Sequence, residues 1–231
     1  EGLFAVVVSS GTTNAGVVDD IAGVAEVCRA NGLWLHVDGA YGGAGLAAPS
    51  VRAQFDGIEL ADSFIVDPHK WLFAPFDCCA LVYQDPSIAR EAHQQQGAYL
   101  EVIYDGIWNA ADYAHHLSRR ARGLPLWFSL ATHGTQAYAD AVEQTLIVAQ
   151  EAAKRIEQHP NLELVTDQQL SICVFRRKGW TLADYNQWSE GQLEDGLSFV
   201  TPTKHKGETV LRFCIVNPRT TVDHIEEILA S

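Results

Sequence analysis

The chain has 231 residues, 47% hydrophobic and 19% charged: enough apolar material for one large or two modest domains, and a composition that excludes a disordered polypeptide. The formal net charge of -13 argues against nucleic acid as a partner, because phosphate neutralisation needs clustered Lys and Arg. No apolar run approaches the roughly 18 residues of a membrane span and no secretory signal opens the chain, so a cytoplasmic protein without membrane association is expected.

The opening FAVVVSS (Phe4–Ser10) is a continuous apolar run, which predicts a strand buried on both faces. GTTNAGVVDD is a loop leading into a helix, where Ile21, Val24, Ala25 and Cys28 follow helical spacing and Asn31-Gly32 supplies the stop. LWLHVD (Leu33–Asp38) is the next strand. A Gly-rich loop and a short helix around Ser50–Phe55 come next, then strands SFIVD (Ser63–Asp67) and CALVYQD (Cys79–Asp85). Strand alternating with helix predicts an α/β fold, a mostly parallel sheet flanked by helices. Ligands of such sheets gather beyond the carboxyl ends of the strands. Asp38, Asp67, His69, Lys70 and the GTT turn all fall there.

From about Gly134 the pattern changes. One long amphipathic helix is expected, ended by His159-Pro160, then strands LELV and SICVFRR and a helix around Leu182–Leu193. LSFVTPT and TVLRFCIV read as a hairpin-like pair of strands, and TTVDHIEEILAS as a last helix. The expected division is residues 1–125, part of a larger domain, and 126–231, a smaller α+β domain. The stretch His93–His116 lacks periodicity and is long for a connection, a length often tied to function. No methionine occurs, and EGLFAVVVSS reads as a strand already under way, so the expectation is a piece of a longer polypeptide. Five cysteines without a CxxC pair suggest reduced thiols.

The sequence DPHKWLFAPFDCC sets one lysine, Lys70, among aromatic and aliphatic residues. An ammonium is costly to bury, whereas a lysine that must act as a neutral nucleophile gains from apolar surroundings. The plainer alternative is a stem lying on apolar surface with its head in water. HVDGAYGG (His36–Gly43) puts Asp38 at a strand end. It reads either as a cap for the next helix or as a buried carboxylate paired with a cation. Gly39 and Ala40 would let a flat ligand approach the backbone. In GTT (Gly11–Thr13) the hydroxyls either satisfy a turn or meet a ligand. His36, Asp38 and His69 raise the question of zinc or iron, but no fourth ligand is evident and no metal is expected. A serine hydrolase is disfavoured because no GxSxG elbow occurs.

HVDGAYGG followed by DPHKWLFAPFDCCA resembles the pyridoxal-phosphate-dependent group II amino-acid decarboxylases, with the aromatic-L-amino-acid decarboxylases nearest. The likeness continues through GTT, AYL, SRRARGLPLWF and LRFCIVNPRTT, and so covers nearly the whole chain. It implies the fold-type-I transferase-like architecture of pyridoxal-phosphate enzymes. It also implies a Schiff base on Lys70, Asp38 holding the pyridine nitrogen protonated, Ala40 packed on the ring, and Thr13 beside the cofactor. His69 would lie near the phosphate or the imine, and Tyr99, in AYL, would protonate the carbanion from a mobile loop. The family often has asparagine where Asp67 stands beside the cofactor phosphate, so the role of this aspartate stays open. The family's upstream phosphate-binding loop and stacking histidine do not precede Glu1.

The implied activity is decarboxylation of an L-amino acid, aromatic substrates favoured, by a homodimer with sites at the interface. The rivals are another reaction on the same cofactor (aldehyde synthesis, transamination or a lyase reaction), a non-catalytic fragment or subunit, and a metal hydrolase using His36 and His69. Arg119 and Arg120 read either as partners of a phosphate or carboxylate, or as solvated helix residues.

Overall fold

The computed structural model describes residues 2–95 and 109–231. Strands β1 (Ala5–Ser9), β2 (Trp34–Asp38), β3 (Ser63–Val66) and β4 (Ala80–Tyr83) form a sheet in that order. The first three are parallel and β4 returns antiparallel to β3. Between β1 and β2 runs α1 (Ile21–Asn31). It begins where the Asp20 carboxylate accepts the Gly23 N–H at 3.0 Å and ends at Gly32, which takes the left-handed conformation at φ 62°. Its buried face, Ile21, Ala25 and Cys28, packs on Val8, Leu35 and Val37. A fully buried aliphatic side chain of this size contributes about 1.5–3 kcal/mol.

The two-sided burial expected of β1 is not found. Only alternate residues face α1, while Val7 is 64% and Phe4 82% exposed. The reason is topological: β1 is an edge strand among the described residues, and α1 covers one face. After β4, Asp85 caps an unanticipated helix, α2 (Pro86–His93), with Pro86 in its first turn.

The long helix also departs from its expected bounds. Helical chain, α3 (Gly123–Gln158), begins 11 residues before Gly134 and is broken there, at φ 77° and ψ 163°. GLPLWFSLATH is therefore helical too, with Pro125 tolerated near its start. The second sheet is antiparallel, in the order β5 (Leu162–Leu164), β6 (Ile172–Arg177), β8 (Glu208–Cys214), β7 (Thr203–His205). Helices α4 (Leu182–Glu194) and α5 (Val222–Ala230), each begun by a threonine capping box, complete this part.

LSFVTPT is not a strand over its length. The N–H groups of Leu197 and Ser198 both donate to the Gln192 carbonyl, closing the end of α4, and pairing starts only at Thr203, after Pro202. One buried cluster joins the loops at the first sheet's edge to the second sheet: Tyr41, after β2, and Trp71, after β3, meet Val142 and Leu146 of α3 and Ile172 and Val210 of the second sheet. The turns at the strand ends therefore rest on the same core as the C-terminal sheet.

Candidate active site

The sheet's hydrogen bonding continues past its carboxyl edge and draws the three expected loops together. Ser10 N–H donates to the Asp38 carbonyl at 2.8 Å, Gly39 N–H to Ile65 at 3.0 Å, and Asp67 N–H to the Ala40 carbonyl at 3.1 Å. Asp38, half-buried Ala40 and Asp67 thus sit on adjoining backbone. Gly42 is required here: a Cβ on it would stand 2.1 Å from the Ser10 carbonyl oxygen, so the loop after β2 lies directly on the end of β1.

Asp38 is exposed rather than a buried half of an ion pair. Its Oδ1 accepts the Ala40 N–H at 3.0 Å, a local turn bond that leaves the carboxylate facing out. In the GTT turn, the Gly11 and Thr12 N–H groups donate to the Val17 carbonyl and Thr12 Oγ1 accepts the Val17 N–H at 3.1 Å. Thr13 is exposed, and its carbonyl accepts from the Arg212 guanidinium of β8. No sequence signal announced that contact, which joins residues far apart in the chain.

Lys70 sits in a turn closed by its own N–H donating to the Asp67 carbonyl at 2.9 Å. Its expected apolar setting is absent: the side chain is 41% exposed, and Nζ lies 2.9 Å from Asp67 Oδ2. The apolar neighbours turn elsewhere. Trp71 is fully buried and Phe76 is 85% exposed. Trp71 stacks on Tyr41 with centroids 5.1 Å apart and donates Nε1–H to Thr145 Oγ1 at 2.9 Å. Tyr41 in turn meets Ser171 Oγ at 2.5 Å and accepts the Ser171 N–H at 3.2 Å. Burial pushes the Tyr41 phenol far up, so it stays neutral.

His69 Nδ1 lies 2.6 Å from the Cys78 carbonyl oxygen, and Phe76 stands edge-on to the ring at 5.0 Å. The Cys78 N–H lies 3.1 Å from the same nitrogen, so both backbone groups of Cys78 hold the ring through Nδ1. The exposed Cys79 thiol hydrogen-bonds Asp67. Burial, then the Asp67 charge and that bond, push the thiol up to about 11. Nearby, Asp77 binds Arg120 at 2.5 Å and Arg122 at 3.0 Å, while Arg119 donates to the Ala110 carbonyl at 2.6 Å. Arg119 and Arg120 are thus engaged within the chain. His36 Nδ1 is 2.8 Å from Ser63 Oγ, and the described residues contain no group of three His, Cys, Asp or Glu side chains able to hold a metal. Tyr99 lies outside the described residues.

An amine, two carboxylates, an imidazole and a methyl-bearing loop, gathered at the carboxyl edge of the parallel strands, define an α/β protein with a candidate ligand site where such sheets place one. The pyridoxal-dependent decarboxylase conserved domain matches residues 1–178, and the chain belongs to this family. It is similar to the aromatic-L-amino-acid decarboxylase of Bacillus atrophaeus, at 30% identity over 236 residues, covering 98% of this chain and 49% of that protein. The 3,4-dihydroxyphenylacetaldehyde synthase of Aedes aegypti is 33% identical over 219 residues, covering 93% and 42%. Among solved structures, mouse CSAD superposes with a TM-score of 0.88 at 27% identity, covering 98% of this chain and 51% of that one. Oryza sativa TDC with PLP and tryptamine does so with a TM-score of 0.88 at 26% identity, covering 98% and 49%. The chain spans about half the length of the curated relatives it matches. The parallel sheet flanked by helices is the fold-type-I architecture of these neighbours.

Proposed function

We propose that the chain carries the lysine-bearing part of a pyridoxal-phosphate-dependent decarboxylase, which turns an L-amino acid, aromatic substrates favoured, into the amine and carbon dioxide. The observation that carries this reading is the placement of Lys70 on a turn joined by one backbone hydrogen bond, Asp67 N–H to Ala40, to the loop holding Asp38. The donor set suits the cofactor: an amine for an aldehyde, an outward carboxylate for a ring nitrogen, and a small residue, Ala40, for a flat ring. Pyridoxal phosphate, when bound, supplies that aldehyde and a ring that withdraws electrons from the substrate's α-carbon.

Lys70 Nζ is the atom that would bond the aldehyde. Asp38 would hold a proton on the ring nitrogen, and Ala40 and Thr13 would border the ring. His69 would present Nε2 to the phosphate or the reacting centre, its ring held by the Cys78 carbonyl. Asp67 belongs to the same cluster. Tyr99 enters on the sequence resemblance alone, as donor of the proton that completes the amine. The proposal includes a homodimer with sites at its interface, a cytoplasmic setting, and a division at 125/126, in the first turn of α3; the two separate sheets support two parts of the chain.

The Aedes aegypti relative gives a second reading, aldehyde synthesis, some weight. Tyr99→Phe separates the two: loss of amine with a rise in aldehyde supports the decarboxylase, and unchanged amine output removes Tyr99 from its role. The primary test is borohydride reduction of the purified protein with pyridoxal phosphate, then peptide mass mapping. A pyridoxyl group on Lys70, absent from Lys70→Ala, is expected; a clean Lys70 would refute the assignment.

A further inference from the structure

We propose that Asp67 is a positioning residue that holds the Lys70 ammonium in reserve, so that the lysine must leave this carboxylate before it can bond an aldehyde. The inference rests on the reading of Lys70 as the cofactor lysine and adds a control on its availability. The geometry is built in by the backbone. The turn bond from Lys70 N–H to the Asp67 carbonyl puts both side chains on one side of a single turn, with Nζ 2.9 Å from Oδ2. The carboxylate is the more enclosed partner, its side chain 16% exposed against 41% for the lysine. The Asp67 N–H donates to the Ala40 carbonyl, which anchors the backbone that carries the acceptor.

Among the described residues Asp67 is the carboxylate within ion-pair reach of Lys70. The other side-chain partner of Asp67 among the described residues is the Cys79 thiol, a weak donor.

Bond formation needs the nitrogen lone pair. The ammonium first gives up a proton, to Asp67 or to water. The free amine then adds to the aldehyde carbon, the C=N bond forms, and the carbonyl oxygen leaves as water. The contact of Nζ with Asp67 Oδ2 must break before the nitrogen can reach the aldehyde carbon. A half-exposed pair of this kind is modest in strength, which sets the expected effect at about two- to fivefold. Asparagine at 67 has the same shape and still accepts a hydrogen bond, but it carries no charge.

The test uses the purified, cofactor-free chain and its Asp67→Asn variant. Both are treated with limiting acetic anhydride at fixed pH, and acetylation of Lys70, normalised to exposed Lys206, is tracked by peptide mass mapping. A rate about two to five times higher in the variant is expected; an equal or lower rate overturns the proposal. Should the variant fail to keep its circular dichroism spectrum, Asp67→Ser carries the same expectation. A parallel sample is reduced with borohydride after addition of pyridoxal phosphate. Lys70 labelled by pyridoxyl with no change in acetylation sinks the Asp67 role and leaves the cofactor reading standing. Faster acetylation without pyridoxyl on Lys70 does the reverse.

Discussion

Replacing Tyr41 by phenylalanine removes one oxygen and leaves the ring stack on Trp71 in place. That oxygen accepts the Ser171 N–H at 3.2 Å and shares a hydrogen with Ser171 Oγ at 2.5 Å, both inside the core. A buried hydrogen bond is worth about 0.5–1.5 kcal/mol net, and a polar group left without a partner costs about 1–3 kcal/mol. Tyr41→Phe loses two bonds and orphans a backbone N–H, so the expected loss is about 2 kcal/mol. For a chain of this size that is about 4–8 °C in Tm. Urea unfolding monitored by tryptophan fluorescence measures it, since Trp71 lies on the affected ring. Ser171→Ala, measured alone and with Tyr41→Phe, closes a double-mutant cycle whose coupling is expected to reach about 1 kcal/mol. A single-variant loss below about 0.5 kcal/mol, or strict additivity, would refute the view that this hydroxyl ties the loop after β2 to the second sheet.

Two further outcomes are expected from other parts of the structure. The Ser10 hydroxyl is buried with no partner among the described residues, so Ser10→Ala should be neutral or stabilising by up to about 1 kcal/mol; a clear destabilisation in urea would show that a bond there is being lost. Asp77 has its ionisation opposed by burial, but the hydrogen bond and charge of Arg122, with Arg120, outweigh that and hold its carboxyl below the usual range. A folded-state value below the unfolded one means the contribution is complete above about pH 4 and is lost as pH falls through the folded value. The wild type should therefore lose more stability than Asp77→Asn between pH 5 and pH 2 in urea titrations, and parallel curves would remove the ion pairs from the account.

The sequence carried the architecture where one physical cause dominates. Ile21, Val24, Ala25 and Cys28 share a face at helical spacing, and Gly32 can take the left-handed conformation that ends the helix, so α1 was legible almost to the residue. What escaped depended on partners distant in the chain. Phe4 and Val7 look like core because they are apolar, but whether a strand is covered depends on what packs over it, which its own residues do not encode. LSFVTPT has strand composition, yet its first amides are spent closing α4. The residues of the strand edge were legible as types and positions; their state was not. Lys70 was expected among apolar neighbours because they adjoin it in sequence, whereas in space Trp71 and Phe76 diverge from it and Asp67, on the same turn, is its partner. Asp77 stood inside the quoted motif, but only the fold brings Arg120 and Arg122 to it.

The contrast between Lys70 and Trp71 has a consequence for how the site is completed. Adjacent residues occupy opposite environments, one fully enclosed and clamped by an indole N–H to the long helix, the other reaching into solvent. The lysine is a short tether on an immovable post. Its terminal nitrogen can sweep only the small volume that four methylenes allow, and no rearrangement of the turn extends that range without dislodging the tryptophan. Whatever molecule reacts with this amine must be delivered into that volume by the surfaces around it.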